Sequence, residues 1–463
     1  MLFNSPEYLI FCAILLAITP FTRGRVRHAV LLAASYVFYG WWDWRFLGLL
    51  GISTGVDYLV GRALAGTDDA VRRKWLLAAS LATDLGMLTF FKYANFFIDS
   101  ALAIVGETWR PQLNVILPVG ISFFTFQSMS YTIDVYRRRV PAERSLLRYA
   151  LFLAFFPQLV SGPITRASEF LHQFRQTPRF PAWRVSAGAQ IFLVGFIKKC
   201  LFADRLAAFV DPVFADPLAW DSATNWLAVV AYAMQIFCDF SGYSDMAIGT
   251  ALVFGYRLVE NFSVPYVSLS ITEFWRRWHR SLSRWLRDYL YISLGGNRKG
   301  TVRTYVNLAA TMLLGGLWHG ASWNFVIWGG MHGAALVADR FTGRWREPLE
   351  RRLPGRVLLW SSTFLWTCLA WVLFRAASLP QAGRMYERMF VWSGEGTRWL
   401  SPVVLILLGL GVLAHWQRRR MGARRYPFVD LATVRGALLF MAAVLIALLG
   451  YPEELRPFVY FQF

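Results

Sequence analysis

A series of long, continuous apolar runs separated by short polar segments limits what this chain can become. Phe46–Leu64, Trp226–Phe254 and Val357–Phe374 are examples. Each is close to or above the roughly 20 residues that a helix needs to cross the hydrocarbon core of a bilayer. Backbone in lipid has no water to bond to, so only helices and closed barrels can span it. The runs are continuous, not alternating, which selects helices over barrel strands. Only 16% of residues are charged and 56% are hydrophobic, where soluble domains average about 25% charged. The expectation is an all-α, polytopic integral membrane protein with roughly 10–13 membrane elements. Neither an internal repeat nor a soluble domain is visible, so a single membrane domain is expected over 1–463. It divides into N-terminal helices (1–140), a core (141–340) and C-terminal helices (341–463).

The net charge is +20, carried by short basic segments between the apolar runs. That pattern fits the positive-inside rule and anionic lipid headgroups, so membrane lipids rather than nucleic acid are the expected partners. The first apolar run, Tyr8–Phe21, has its basic segment after it, at Arg23, Arg25 and Arg27. A cleaved signal peptide has the opposite order. Arg72–Lys74, Arg137–Arg139 and Arg418–Arg420 with Arg424 and Arg425 mark further cytoplasmic edges. Both termini are then expected outside. Four cysteines, Cys12, Cys200, Cys238 and Cys368, lie in apolar surroundings without metal-type spacing and read as small hydrophobes.

Several polar residues stand at membrane depth. Gly315-Gly316-Leu317-Trp318-His319-Gly320-Ala321-Ser322-Trp323-Asn324 lies between the runs Tyr305–Leu314 and Phe325–Ala338. Ionisable groups inside a bilayer are costly and usually mark function; the plain alternative is a histidine that only packs. Trp226–Phe254 holds Asp239, Ser241, Tyr243, Ser244 and Asp245. The two acids are six residues apart and fall on different faces of a helix. One could partner an arginine while the other faces a polar cavity. Lys198 and Lys199, followed by Asp204, read as lysines that snorkel to the interface. Phe156–Pro163 has two prolines and a glycine and predicts a kinked or re-entrant element. Ser268–Tyr291 predicts one amphipathic helix at the cytoplasmic interface. Arg276, Arg277 and Arg280 lie on its basic face, and His279 falls on the side of Trp275, Trp278 and Leu282. Thr342–Arg356 reads as a polar loop.

Three of these stretches resemble signatures of the membrane-bound O-acyltransferase (MBOAT) family: Asp239–Gly249, Ser270–His279 and Gly315–Gly320. Phe91–Phe96, Leu117–Phe123 and the ending Phe458–Phe463 are similar to its bacterial branch that contains the membrane subunit of alginate O-acetylation. The resemblance implies the MBOAT fold, with helices around a central tunnel or funnel in the bacterial inner membrane. It implies no bound cofactor and no metal. Acetyl-CoA or an acyl-carrier thioester would be the donor, and a hydroxyl further out the acceptor. It carries the family's nearly invariant histidine onto His319 and a second, more variable polar position onto His279.

On this reading His319 is a general base for the acceptor hydroxyl, and His279 orients the substrate or assists proton transfer. Trp278, Trp318, Asn324, Asp239, Ser241, Tyr243 and Asp245 are the candidates to line the passage. Arg276, Arg277 and Arg280 would attract donor phosphates or lipid headgroups. Implied partners are a periplasmic SGNH-type acetyltransferase and a polysaccharide synthesis and export complex. Two readings from other classes stand beside it. In a transporter or channel, Asp239, Asp245 and His319 would line a permeation path. In an export-complex scaffold, no acyl transfer would occur.

Overall fold

A computed structural model describes residues 1–106, 113–160, 162–176, 180–392, 394–421, 428–452 and 454–459. Ser161, Arg424, Arg425 and Tyr460–Phe463, which entered the sequence reading, lie outside the described residues. Among the described residues the secondary structure is helical, and a single bridge pairs Trp220 with Thr397. Ala70–Val105, Ala182–Ala215 and Leu353–Arg375 are long and apolar enough to cross a membrane, and Pro6–Phe21 and Val434–Leu449 are shorter apolar helices. Other predicted spans are also helical but carry buried polar side chains. Contacts divide the chain into two compact units, residues 1–192 with 244–259, and residues 193–243 with 260–463.

In the first unit, polar residues cross-link apolar helices. Leu47–Ala65, Ala70–Leu88 and Ile121–Tyr136 meet through Asp57, which accepts from Ser80 Oγ (2.5 Å) and from Ser128 Oγ. Asp84 accepts from Ser53 Oγ at 2.9 Å. Hydrogen-bonded networks of this kind gain strength in a low-dielectric interior. Ile121–Tyr136 begins directly after Gly120, which turns the chain with φ +78°. A Cβ there would lie 2.7 Å from the Leu159 carbonyl oxygen. The break expected at Phe156–Pro163 is present. The helix Leu146–Ala154 ends at Phe155 (ψ 110°), and a short helix, Phe156–Leu159, follows. Both are buried in protein over Tyr149–Leu159, the condition under which irregular backbone is tolerated at membrane depth.

In the second unit, three expectations are corrected. The predicted helix Ser268–Tyr291 is broken in two: Ile271–Arg277 ends at Trp278, and Arg280–Trp285 begins after His279. His279 has φ +40°, ψ +54°, a left-handed conformation uncommon outside glycine and asparagine. Asn261 holds the break. Its Oδ1 accepts from Ser281 N (3.2 Å) and Ser281 Oγ (2.9 Å) and lies 3.2 Å from His279 Nδ1, while its carbonyl accepts from Arg280 N (2.9 Å). The predicted loop Thr342–Arg356 is mostly helix, because Trp323–Arg351 runs on through it and Leu353–Arg375 starts two residues later. Its arginines and glutamates are good helix formers. Lys199 does not snorkel. It is buried between Asp204 (2.8 Å) and Asp239 (2.7 Å), which supply the counter-charge that water would otherwise provide.

Two predictions follow from this packing. Replacing Asn261 with leucine strips partners from Ser281 and His279 in a buried site, at a cost of about 1–3 kcal/mol. Thermal unfolding in lipid nanodiscs should show a lower Tm, and an unchanged Tm refutes the clamp. In the connection after Tyr136, burial pushes the Glu143 carboxyl up. Hydrogen bonds from Arg148 and Ser145 N and the charge of Arg148, aided by Arg175, outweigh it and hold the carboxyl below its ordinary range. A depressed carboxyl stabilises the fold above its unfolded pKa and loses that contribution as pH falls through the folded value. The stability gap between wild type and Glu143→Gln should therefore close on acidification below the ordinary carboxylate range. A gap independent of pH would contradict this.

Candidate active site

The site is built on a helical hairpin in the second unit. Gly300–His319 and Trp323–Arg351 pack backbone to backbone. A Cβ on Gly316 would collide with the Phe325 carbonyl and stand 3.0 Å from Gly329 Cα. A Cβ on Gly333 would stand 3.2 Å from Ala309 Cα. Small residues of this kind let helices approach without side chains between them. The first helix stops at His319 because Gly320 is extended, and a Cβ there would strike the Phe325 ring. Ser322 starts the second helix, its Oγ accepting from Asn324 N at 3.2 Å.

This hairpin fixes His319 in an aromatic box. Its ring centroid lies 4.9 Å from Trp318, 4.9 Å from Trp328 and 5.3 Å from Phe374, each edge-on. Asn324 Nδ2 donates to the Ala376 carbonyl at 2.7 Å and so ties the Phe374 segment to the hairpin. His279 is brought to the other side of Trp318, at 6.0 Å, and meets Phe240 edge-to-face at 4.7 Å. Trp278 packs between Trp371 (5.0 Å) and Phe262 (5.0 Å). His279 and His319 are both buried, at 0% and 3% exposure.

A third histidine joins them. His332 lies 4.8 Å from Trp328, the ring that also flanks His319. Trp275 Nε1–H donates to His332 Nδ1 at 3.3 Å, so that nitrogen is an acceptor and the proton of the neutral ring sits on Nε2. The sequence reading gave His332 no role. Its signal was present, since Asn324, Trp328 and His332 recur at four-residue steps along one helical face. Asn261 had no such local signal.

The remaining candidates divide. Asp239 is buried and turns away from the histidines: Oδ1 meets Lys199 Nζ and Oδ2 accepts from Val459 N at 2.8 Å. Its partner is thus a lysine, not an arginine. Tyr243 lies beside the same lysine, with Nζ 5.7 Å from its ring, and packs against Phe458 at 4.5 Å. Ser241 is buried on the same helix, and Asp245 is buried in the first unit. Arg277 is paired with Glu273 (2.8 Å) and Arg280 with Glu260 (2.5 Å), whereas Arg276 is exposed. No group of three or more His, Cys, Asp or Glu among the described residues is arranged to hold a metal ion. Buried imidazoles walled by indole and phenyl rings suit proton transfer in a site that excludes water.

Known proteins are similar to this chain over most of its length. Over 398 residues the chain is 47% identical to the probable alginate O-acetylase AlgI of Pseudomonas putida, covering 84% of this chain and 80% of that protein. It is 38% identical over 398 residues to the peptidoglycan O-acetyltransferase of Helicobacter pylori, covering 80% and 75%. It is 27% identical over 277 residues to the teichoic acid D-alanyltransferase of Bacillus subtilis, covering 57% and 70%. The membrane-bound O-acyltransferase family description matches residues 44–373, a span that contains the hairpin, the Asn261 clamp and all three histidines of the box. The chain belongs to the membrane-bound O-acyltransferase family and is an all-α membrane acyltransferase.

Proposed function

We propose that this acyltransferase takes an acetyl group from a cytoplasmic thioester, acetyl-CoA or an acyl-carrier thioester, and delivers it across the membrane for O-acetylation of an exopolysaccharide such as alginate. The observation that carries this reading is the buried His319, boxed by Trp318, Trp328 and Phe374 and sharing Trp318 with His279. The acetylation named for the relatives from Pseudomonas putida and Helicobacter pylori supports the choice of acyl group. The chain is read as one membrane domain with its catalytic core in residues 141–340.

In this mechanism the acceptor hydroxyl oxygen attacks the thioester carbonyl carbon while His319 accepts its proton. The carbon–sulfur bond breaks, and the thiolate leaves with the proton returned by His319. The products are an ester and a thiol. His279 serves as a positioning residue across Trp318, and Trp278 and Asn324 support the walls. The aromatic enclosure keeps out the water that would hydrolyse the donor. Arg276 is the exposed arginine suited to the phosphates of a donor or a lipid. A periplasmic SGNH-type acetyltransferase, within a polysaccharide synthesis and export complex, would complete the transfer to sugar. The basic segments support a multi-pass place in the inner membrane with both termini periplasmic.

A general base contributes about 10²–10⁴-fold. Purified His319→Ala in nanodiscs, assayed with its partner and with labelled acetyl-CoA or acetyl-carrier protein, should lose about a hundredfold or more in transfer rate. A folded variant transferring at near the wild-type rate refutes the base assignment.

A further inference from the structure

His332 is fully buried on the helix Trp323–Arg351, and the reaction above gives it no part. Its Nδ1 accepts from Trp275 Nε1–H at 3.3 Å, and its other nitrogen carries the ring proton. Neither nitrogen is placed to take a proton, which separates this residue from His319. Packing alone does not call for an imidazole here either. The ring lies parallel to Phe274 at 6.1 Å and meets Trp328 at 4.8 Å. A phenyl ring would make both contacts. What the imidazole adds is one acceptor in an aromatic wall, and a polar atom is costly there unless it is bonded.

That acceptor joins two elements. Trp275 belongs to Ile271–Arg277, a helix of seven residues that leads to His279. Helices this short are marginal by themselves, so tertiary contacts decide where it sits. Trp323–Arg351 supplies several. Asp339 Oδ2 accepts from Thr272 N at 2.7 Å, and Arg346 bridges Asp339 and the Leu269 carbonyl. These contacts hold the start of the short helix, whereas Trp275 meets His332 about one turn before His279. A closed ring of contacts results. From His332 it passes through Trp328 to His319 (4.9 Å), then through Trp318 (4.9 Å) to His279 (6.0 Å), and along the backbone from His279 back to Trp275. Aromatic edge contacts tolerate sliding, whereas a hydrogen bond fixes a length and a direction.

We infer that His332 is a positioning residue: by accepting from Trp275 it sets the spacing between the two histidines that flank Trp318. Its effect on catalysis rests on the acetyl-transfer reading; its effect on the placement of the His319 ring does not. Reacting groups held about 1 Å out of place can cost about a hundredfold in rate, so a strut outside the reacting atoms has a kinetic consequence.

The test uses the full chain in nanodiscs, with two readouts. Transfer is assayed as for His319→Ala. His332→Phe and Trp275→Phe each keep a ring and remove one side of the bond. Each should lower kcat about ten- to a hundredfold with KM unchanged. The double variant should lose no more than either single one, because the bond is already gone. His332→Asn, whose Oδ1 stands where Nδ1 does, should keep most of the wild-type rate. Losses that multiply in the double variant, a raised KM at wild-type kcat, or His332→Asn no better than His332→Phe would overturn the inference. The second readout needs no reaction. Nitrogen NMR of isotope-labelled histidines should show the His319 signals displaced in both phenylalanine variants and restored in His332→Asn. Signals that stay in place while the wild type transfers acetyl defeat this inference alone. Displaced signals in a chain whose wild type transfers acetyl from neither donor defeat the acetyl-transfer reading alone.

Discussion

Two helices touching backbone to backbone underlie the organisation of the second unit. Where Gly316 meets Gly329, no side chain separates Gly300–His319 from Trp323–Arg351. Lipid tails are as apolar as leucine, so helices in a membrane gain little from the hydrophobic effect on meeting and rely on close packing instead. That closeness allows a three-residue turn, and the turn throws Trp318, His319 and Trp328 against one another. The histidine box is therefore a product of missing side chains as much as of those present. Any residue larger than glycine at the contact would widen the hairpin and move His319 relative to Trp328.

A second constraint is electrostatic. An unpaired ammonium in the interior costs several kcal/mol, and removing one partner of a buried pair typically costs about 3–5 kcal/mol. Lys199 avoids this with two carboxylates, one close by in sequence and one on the long helix Ser222–Val253. That helix serves two neighbourhoods at consecutive positions. Asp239 belongs to the ion triad, and Phe240 to the wall behind His279. Charge and aromatic packing are thus kept apart by the turn of a helix, at a distance of one residue.

Much of this was legible in the sequence, and the misses have a common cause. Continuous apolar runs marked the helices because a membrane leaves the backbone few choices. The stretch with Gly315, Gly316, Trp318 and His319 was visible between two apolar runs, but only the structure shows that it closes a hairpin and which backbone the glycines meet. The break at His279 was not legible. The pattern of Trp275, Trp278 and Leu282 around it is helical, and the residue that overrides it, Asn261, stands 18 positions earlier. Lys199 was misread for the same reason, since its local sequence shows a lysine at the end of an apolar run and Asp239 lies far along the chain. The helix through Thr342–Arg351 was hidden by its charge. His332 stands at helical spacing from Asn324 and Trp328, but spacing alone does not show that it shares Trp328 with His319.

The left-handed backbone at position 279 sets two preferences against each other. Conformation there favours glycine or asparagine, and only the ring of histidine meets Phe240 and Asn261 as observed. A glycine would relax the strain and keep the break between the two short helices while removing the imidazole. Fold and chemistry are thus separable at one residue. A relative with glycine at this position would keep the architecture of an acyltransferase and lack one of the two histidines that flank Trp318.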